Sequence, residues 1–449
     1  MSDQTSDPLS NKAQRGEPLL RRSIGTTQLA LYALGSMVGS GIYGLIGKAT
    51  GEAGSAVWLS FLVALCAALL TSLSYASLGS RYPRAGGAAY VTGRAFRVPV
   101  VSFVVGLALV ASGLTSIATQ SKIFATILAD MAGLERLSPT FIAAGFLLIL
   151  GGIVFRGIRE SMWVNVLCTL MEVSGLLLVI ASGISYWGSV DYFETPPQRA
   201  DTAFSVIVLQ ASVLTFFAFI GFEDAVNVAE ECKDPERTIP RGLVIATCSA
   251  ALLYIAVAIT AVSVVPWNEL ATASSPLTEV MRRGAPGIPP GIMTFIALFS
   301  VANTALVNYV TASRLIYGMA GQGLLPGPLG RVHATQRTPH IAVLVLLAVA
   351  LLLVIAGGIA DLAAATVLLL LVVFIAVNAS LVTLKRRAGE KPGQFEIPIV
   401  LPIAGIAVCA GLLLTRLASS DWRAPALAGA LIAVILGLYA FLRSKSDIR

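Results

Sequence analysis

The sequence predicts an all-α polytopic membrane protein with 12 transmembrane helices. Three observations carry that expectation. Of the 449 residues, 56% are hydrophobic and only 12% charged, and the mean hydropathy of +0.82 lies outside the range of soluble domains. Apolar windows of roughly 20 residues, the length a bilayer crossing needs, recur along the whole chain. The connections between them are short and leave no room for a separate soluble domain.

In chain order the apolar segments fall at 28–47, 56–78, 99–121, 139–155, 162–186, 203–229, 242–265, 290–316, 341–357, 362–384, 397–416 and 424–443. The polar stretch before the first carries Lys12, Arg15, Arg21 and Arg22 and reads as a tail rather than a cleavable signal. The first segment holds the glycines Gly35, Gly39, Gly41 and Gly44. The second closes on Tyr82-Pro83 and Gly86-Gly87, a turn signature. The fifth places Glu172 among Leu167, Leu170, Leu176, Leu177 and Leu178, deep whichever boundary is taken. The sixth is interrupted at Gly221, followed by Glu223 and Asp224, and leads into the mixed-charge run Glu230, Glu231, Lys233, Asp234, Glu236, Arg237, Arg241. The tenth gives onto Lys385, Arg386, Arg387 and Lys391, an anchor beside anionic headgroups. If the N-terminus is cytoplasmic, most of the 31 Lys and Arg fall in cytoplasmic connections, the bias that orients membrane proteins. Both termini are therefore expected in the cytoplasm, with the chain in the cell membrane, the inner one if the source is bacterial.

Several function classes are excluded. The net charge of +7 is spread between spans and marks no nucleic-acid surface. Five scattered cysteines, with no C-x-x-C pair, support neither a disulfide framework nor a zinc site. His333 and His340 share one polar stretch and read as a solvated loop, so neither a metal nor a cofactor is expected. No H-E-x-x-H motif or nucleophile elbow occurs, so no catalytic residue is assigned. The stretch Gly39 to Gly44, "GSGIYG", has the G-x-G-x-x-G spacing of a dinucleotide turn. That turn needs a strand before it and an acidic residue about 20 positions on, yet Leu59 to Leu70 contains no carboxylate.

Two roles fit these glycines inside a membrane helix. Gly35-x-x-x-Gly39 would let a neighbouring helix approach closely. Alternatively the helix unwinds at Gly39-Ser40-Gly41, which at membrane depth is tolerated only around a cavity or ligand. The sixth segment favours unwinding, because interrupted spans at corresponding positions of two halves point to a transporter's central site. Where a half-helix starts, free N–H groups attract a carboxylate; where one stops, free carbonyls attract an ammonium. An amino acid's backbone satisfies both.

Four stretches resemble the amino acid-polyamine-organocation superfamily of transporters: "GSMVGSGIYGLIG", "SYASLGSRYPRAGGAAYV", "FFAFIGFEDAVNVAEECKDPERTIPRG" and "ASRLIYGMAGQGLLP". Their order and spacing cover almost the whole chain. The resemblance implies two inverted five-helix repeats in the leucine-transporter-like arrangement, 25–188 and 200–388, working by alternating access. It adds two peripheral helices within 395–443 and cytoplasmic tails at 1–24 and 444–449. It implies a substrate carboxylate at the backbone of Ser40 and Gly41, and an ammonium at the carbonyls of Met37, Phe219 and Ile220, beside the break at Gly221. Phe217 matches a gating aromatic position and Glu223 an acidic one tied to pH response or cytoplasmic closure. Asn308 falls where a side chain can face the substrate.

The chain also departs from the family pattern. Ser77 stands where many relatives carry glutamate, "MAGQG" lacks a familiar arginine and aspartate, and Glu172 stands where several relatives have a lysine. A lysine-based mechanism therefore does not transfer. Three roles fit a carboxyl at that depth: a proton-coupling group together with Glu223, a permanently protonated acid bonded to a neighbouring helix, or a ligand for a cation. The expected function is secondary active transport of amino acids or related amines, by proton symport or exchange, with a small-molecule substrate, protons and the lipid bilayer as partners. A polyamine or organocation carrier is the alternative, and a channel or membrane enzyme a distant one.

Overall fold

The computed structural model describes residues 20–446 apart from 134–136, 274, 290, 357–358 and 418–422. The expected tail up to residue 19 and the last three residues lie outside the described residues. Among the described residues seventeen α-helices run as α1 (Thr26–Met37), α2 (Ser40–Ala53), α3 (Val57–Arg81), α4 (Gly87–Phe96), α5 (Pro99–Ala132), α6 (Pro139–Arg156), α7 (Ile158–Gly183), α8 (Phe204–Phe216), α9 (Asp224–Asn227), α10 (Pro235–Val264), α11 (Trp267–Thr272), α12 (Pro276–Gly284), α13 (Gly291–Gly321), α14 (His340–Ala356), α15 (Ile359–Arg386), α16 (Val400–Leu417) and α17 (Arg423–Ser446). Among the described residues there is no strand; one isolated bridge pairs Ile24 with Cys232.

Among the described residues, seven helical stretches are long and apolar enough to cross a membrane, and four shorter apolar helices overlie further expected segments. Proline opens α5, α6, α10 and α12 at the first helical turn, where its missing N–H has no helical acceptor to lose. The helices hide their hydroxyls internally: Thr50, Ser161 and Thr247 each donate to the carbonyl four residues back. Phe141, Ile149, Trp163 and Leu252 remain exposed on the outside of the bundle, the surface expected against lipid.

Three differences from the sequence reading have physical causes. The third segment, expected at 99–121, continues as helix to Ala132, because Gln120, Ser121 and Lys122 are polar without breaking helix; the stop comes at Gly133, whose φ of 63° caps the end. The connections expected as loops hold α4, α11 and α12, too short and polar to read as spans. His333 and His340 are half-buried and meet edge to face at 5.5 Å, rather than standing in solvent.

The packing places the first and sixth segments at the centre. Helix α1 lies against α10 and α7 and also touches α13, while α2 lies against α8 and α11. The short α9 touches α1 and α13. Helices α15 and α16 pack together, with α5 also against α15.

Candidate functional site

The first apolar segment is two helices. Helix α1 ends at Met37 and α2 begins at Ser40, with Gly39 in an extended conformation between them. Close approach and interruption turn out to be compatible roles for these glycines. A Cβ on Gly35 would stand 2.1 Å from Thr169 Oγ1 and 2.5 Å from Asn303 Nδ2, and one on Gly39 would stand 2.3 Å from Thr304 Oγ1. Helices α7 and α13 therefore reach the backbone where the chain unwinds. The amides at the start of α2 have no preceding helical carbonyl to bind.

The sixth segment is interrupted too. Helix α8 stops at Phe216, a 3₁₀ turn covers Phe217–Phe219, and helix resumes only at Asp224. Gly221 holds φ at 127°, and a Cβ there would lie 2.7 Å from the carbonyl carbon, the carbonyl oxygen and the hydroxyl of Ser36. Only glycine meets both conditions. The Gly221 amide donates to the Glu223 carboxylate at 2.9 Å.

Side chains tie the two breaks together. The Ser36 hydroxyl donates to Asp224 Oδ2 at 2.5 Å. Tyr254 on α10 directs its hydroxyl at the Met37 carbonyl, 2.8 Å away, and at the Ala218 carbonyl, 2.9 Å away. Its ring meets Phe219 edge to face at 5.1 Å. Tyr32 joins α1 to α13 through Thr311 at 2.8 Å. The Met37 and Ala218 carbonyls thus share one donor at the breaks.

A second polar group lies between α7, α1 and α13. Asn165, Thr169 and Glu172 share one face of α7 at spacings of four and three. Asn165 Nδ2 donates to Asn303 Oδ1 at 2.8 Å, and Asn303 Nδ2 donates to Thr169 Oγ1 at 3.0 Å. Thr169 donates to the Leu31 carbonyl at 3.3 Å. Glu172 is wholly buried, and neither carboxyl oxygen has a hydrogen-bond partner among the described residues.

At one end of the bundle the segment after α9 is locked. Arg314 and Glu231, both wholly buried, form a two-pronged pair at 3.1 Å through each contact. The Glu231 carbonyl accepts from the Ser23 and Ile24 amides at 2.8 and 3.0 Å, so the chain leading into α1 is fastened to the chain leaving α9.

The residues named from sequence fall as follows. Met37, Phe219, Gly221 and Glu223 are buried at the paired breaks, with Ile220 half-buried there. Ser40 and Gly41 open α2; the side chains of Ser40 and Phe217 lie outside the described residues. Asn308 is half-buried and donates to its own helix at Thr304 O. Glu172 and Glu223 lie in separate places: Glu172 beside the Asn165–Asn303–Thr169 group and Glu223 at the second break, bonded to the Gly221 amide. Sequence reasoning missed Ser36, Tyr254, Asn165, Asn303 and Arg314. A polar residue inside an apolar run is the signal that marks each of them. Among the described residues no group of three or more His, Cys, Asp or Glu could hold a metal.

Comparison with known proteins accords with this architecture. A family model described as amino acid permease matches residues 24–439. The chain is 26% identical over 414 residues to the branched-chain amino acid permease BcaP of Bacillus subtilis (strain 168), covering 88% of each chain. It is 28% identical to the methylthioribose transporter of the same organism, covering 88% of this chain and 89% of the relative. It is 29% identical to the cationic amino acid transporter 4 of Mus musculus, covering 84% of this chain and 62% of that protein. With nearly the whole chain matched and two helices broken face to face inside an apolar bundle, this multi-pass membrane protein belongs to the amino acid permease family and is a secondary transporter, not an enzyme.

Proposed function

We propose that the protein carries an amino acid or a closely related amine by alternating access, coupled to protons, across the cell membrane with both termini in the cytoplasm. One observation carries the reading: the breaks after Met37 and Phe216 lie face to face, joined by Ser36, Asp224 and Tyr254. The first turn of α2 would offer the amides of Ser40 and Gly41 to a carboxylate, and the two breaks the carbonyls of Met37, Phe219 and Ile220 to an ammonium. Asn308 and the gating position Phe217 would shape the rest of the pocket. The 12 apolar segments would form two inverted five-helix repeats plus two peripheral helices.

Glu172 and Glu223 are the proton-coupling groups in this reading. Glu172 is wholly buried between α7, α1 and α13, and Glu223 lies at the second break, where it accepts from the Gly221 amide. Both places are ones that a change of helix packing would alter, which is where a coupling group is needed.

The relatives bear on the substrate. One is named for branched-chain amino acids, one for cationic amino acids and one for methylthioribose. Glu223 and Asp224 at the second break would suit a cationic side chain. Both are already engaged, by the Gly221 amide and the Ser36 hydroxyl, so a neutral amino acid fits equally. Purified protein in liposomes is expected to show saturable counterflow of a labelled amino acid, drawn from a panel that includes polyamines and methylthioribose. Steady, unsaturable flux for every compound would instead identify a channel and end this reading.

A further inference from the structure

We infer that the protein binds an anionic phospholipid in a groove at the start of α10, a site separate from the paired breaks. A groove of about 710 Å³ lies between the first turns of α10 and the segment that follows α15. Arg237 and Arg241 line it together with Glu236 and Gln394, and Pro240, Val244, Ile245 and Phe395 supply its apolar wall.

The spacing along α10 makes these residues one continuous strip. Arg237, Arg241, Ile245, Cys248 and Leu252 recur at four, four, three and four residues, so they share a face about 22 Å long. Arg241, Ile245, Cys248 and Leu252 are all exposed along it. Two guanidinium groups therefore stand at the head of an open apolar track that runs on into a helix long enough to cross the membrane. Guanidinium donors match phosphate oxygens, and the strip beyond them matches an acyl chain. A soluble anion would use only the first half of that surface.

The charges nearby leave room for an anion. Between residues 233 and 241, Lys233, Arg237 and Arg241 outnumber Asp234 and Glu236, and Glu231 just before them is paired with Arg314. The Glu236 carboxylate accepts from the Gln394 side-chain amide at 2.7 Å, and Gln394 Oε1 accepts from Arg237 Nε at 2.8 Å. Asp234 stands 4.0 Å from Arg237. Arg241 lines the groove, is exposed, and makes no ion pair among the described residues, whereas the groove's one carboxylate, Glu236, is bonded to Gln394. The opposite face of the same helix presents Tyr254 to the breaks. Lipid on one side of α10 thus braces the helix that fastens the site on the other.

The test uses the full chain in neutral detergent, with bound lipid followed by native mass spectrometry and stability by thermal melting. Phosphatidylglycerol is expected to be retained over phosphatidylcholine and to raise the melting temperature; inorganic phosphate at the same concentration is expected to do neither. Arg241→Gln should cut the preference for phosphatidylglycerol roughly five-fold, and Arg237→Gln with Arg241→Gln should remove most of it. Ile245→Asp should weaken retention of the lipid through its apolar track. Unchanged melting of each variant in phosphatidylcholine would show that it folds. Equal retention of the two lipids, an undiminished preference in the double variant, or a stabilisation by inorganic phosphate equal to that by lipid would each overturn the assignment.

Discussion

The Tyr254 hydroxyl donates to the Met37 carbonyl across 2.8 Å, from α10 to the last residue of α1. The same hydroxyl stands 2.9 Å from the Ala218 carbonyl at the second break. A phenol has one proton, so the two carbonyls share it, and neither break can shift without disturbing the other's donor. Tyr254→Phe keeps the ring that packs on Phe219 and deletes only the hydroxyl. We expect a loss of about 1–3 kcal/mol, seen as a lower melting temperature, together with slower counterflow. A variant that melts and transports like the wild type would show that the hydroxyl fastens nothing.

Gly221 should tolerate no side chain. Its φ of 127° is unfavourable for any other residue, and a Cβ would press on the Ser36 backbone at 2.7 Å. Backbone cannot rotate away as a flexible side chain can. Gly221→Ala is expected to abolish uptake and lower the melting temperature, whereas Gly145→Ala, with nothing within 4 Å of its Cβ position, should do neither. Comparing the two under one protocol separates local strain from a general dislike of alanine in these helices.

Glu172→Gln removes the titrating proton and keeps nearly the same shape. If Glu172 couples transport to protons, the variant should still exchange labelled substrate across the membrane but fail to concentrate it under an imposed proton gradient. Continued accumulation against the gradient would remove Glu172 from that role. A structural acid that only packs against Asn303 would leave both measurements unchanged.

The sequence made the spans legible because burial in lipid demands long apolar runs, and those survive any detail of packing. Helices α4, α11 and α12 were not legible: ten, six and nine residues of mixed polarity give no run to recognise. At the site, Gly39 and Gly221 stood out because a missing side chain is visible in one dimension. Tyr254 and Asn303 did not, because a tyrosine or asparagine in an apolar helix reveals a need for a partner without naming one. Tyr254 lies 217 residues from Met37 in the chain, and only the fold brings them together.

The buried Arg314–Glu231 pair should matter more when broken than when replaced. Both side chains are wholly buried, so Glu231→Gln leaves a guanidinium uncompensated, at a cost of about 3–5 kcal/mol. Replacing both, as Arg314→Met with Glu231→Leu, removes the charges together and should restore most of the stability. Transport is expected to stay impaired in the double variant if the pair must open and reform as that end of the bundle opens. Full recovery of uptake would assign the pair a packing role alone.

The chain after α15 forms a strap across the ends of α3 and α4, and its hold should depend on acid. Glu396 accepts from Arg81 Nε at 2.5 Å, from the Gly393 amide at 2.8 Å and from Lys385. Partial burial works to raise its pKa, but the hydrogen bonds from Arg81, Lys385 and the Gly393 amide outweigh it and hold the carboxyl down to about 2. Glu390, bonded to the Tyr82 hydroxyl at 2.6 Å and to Arg94 at 3.1 Å, is lowered in the same direction against its own burial. A carboxyl depressed in the folded state stabilises it fully above the ordinary value near 4.3, and loses that contribution as pH falls toward the folded value. The melting temperature of the wild type should therefore exceed that of Glu396→Gln by a constant margin from pH 8 to about 5. Below about 4 the margin should narrow, because protonation turns the wild type into its own glutamine analogue. Thermal melts of the two proteins across that range check it, and a margin that widened with acid would mean that the strap is held by something other than the ionised Glu396.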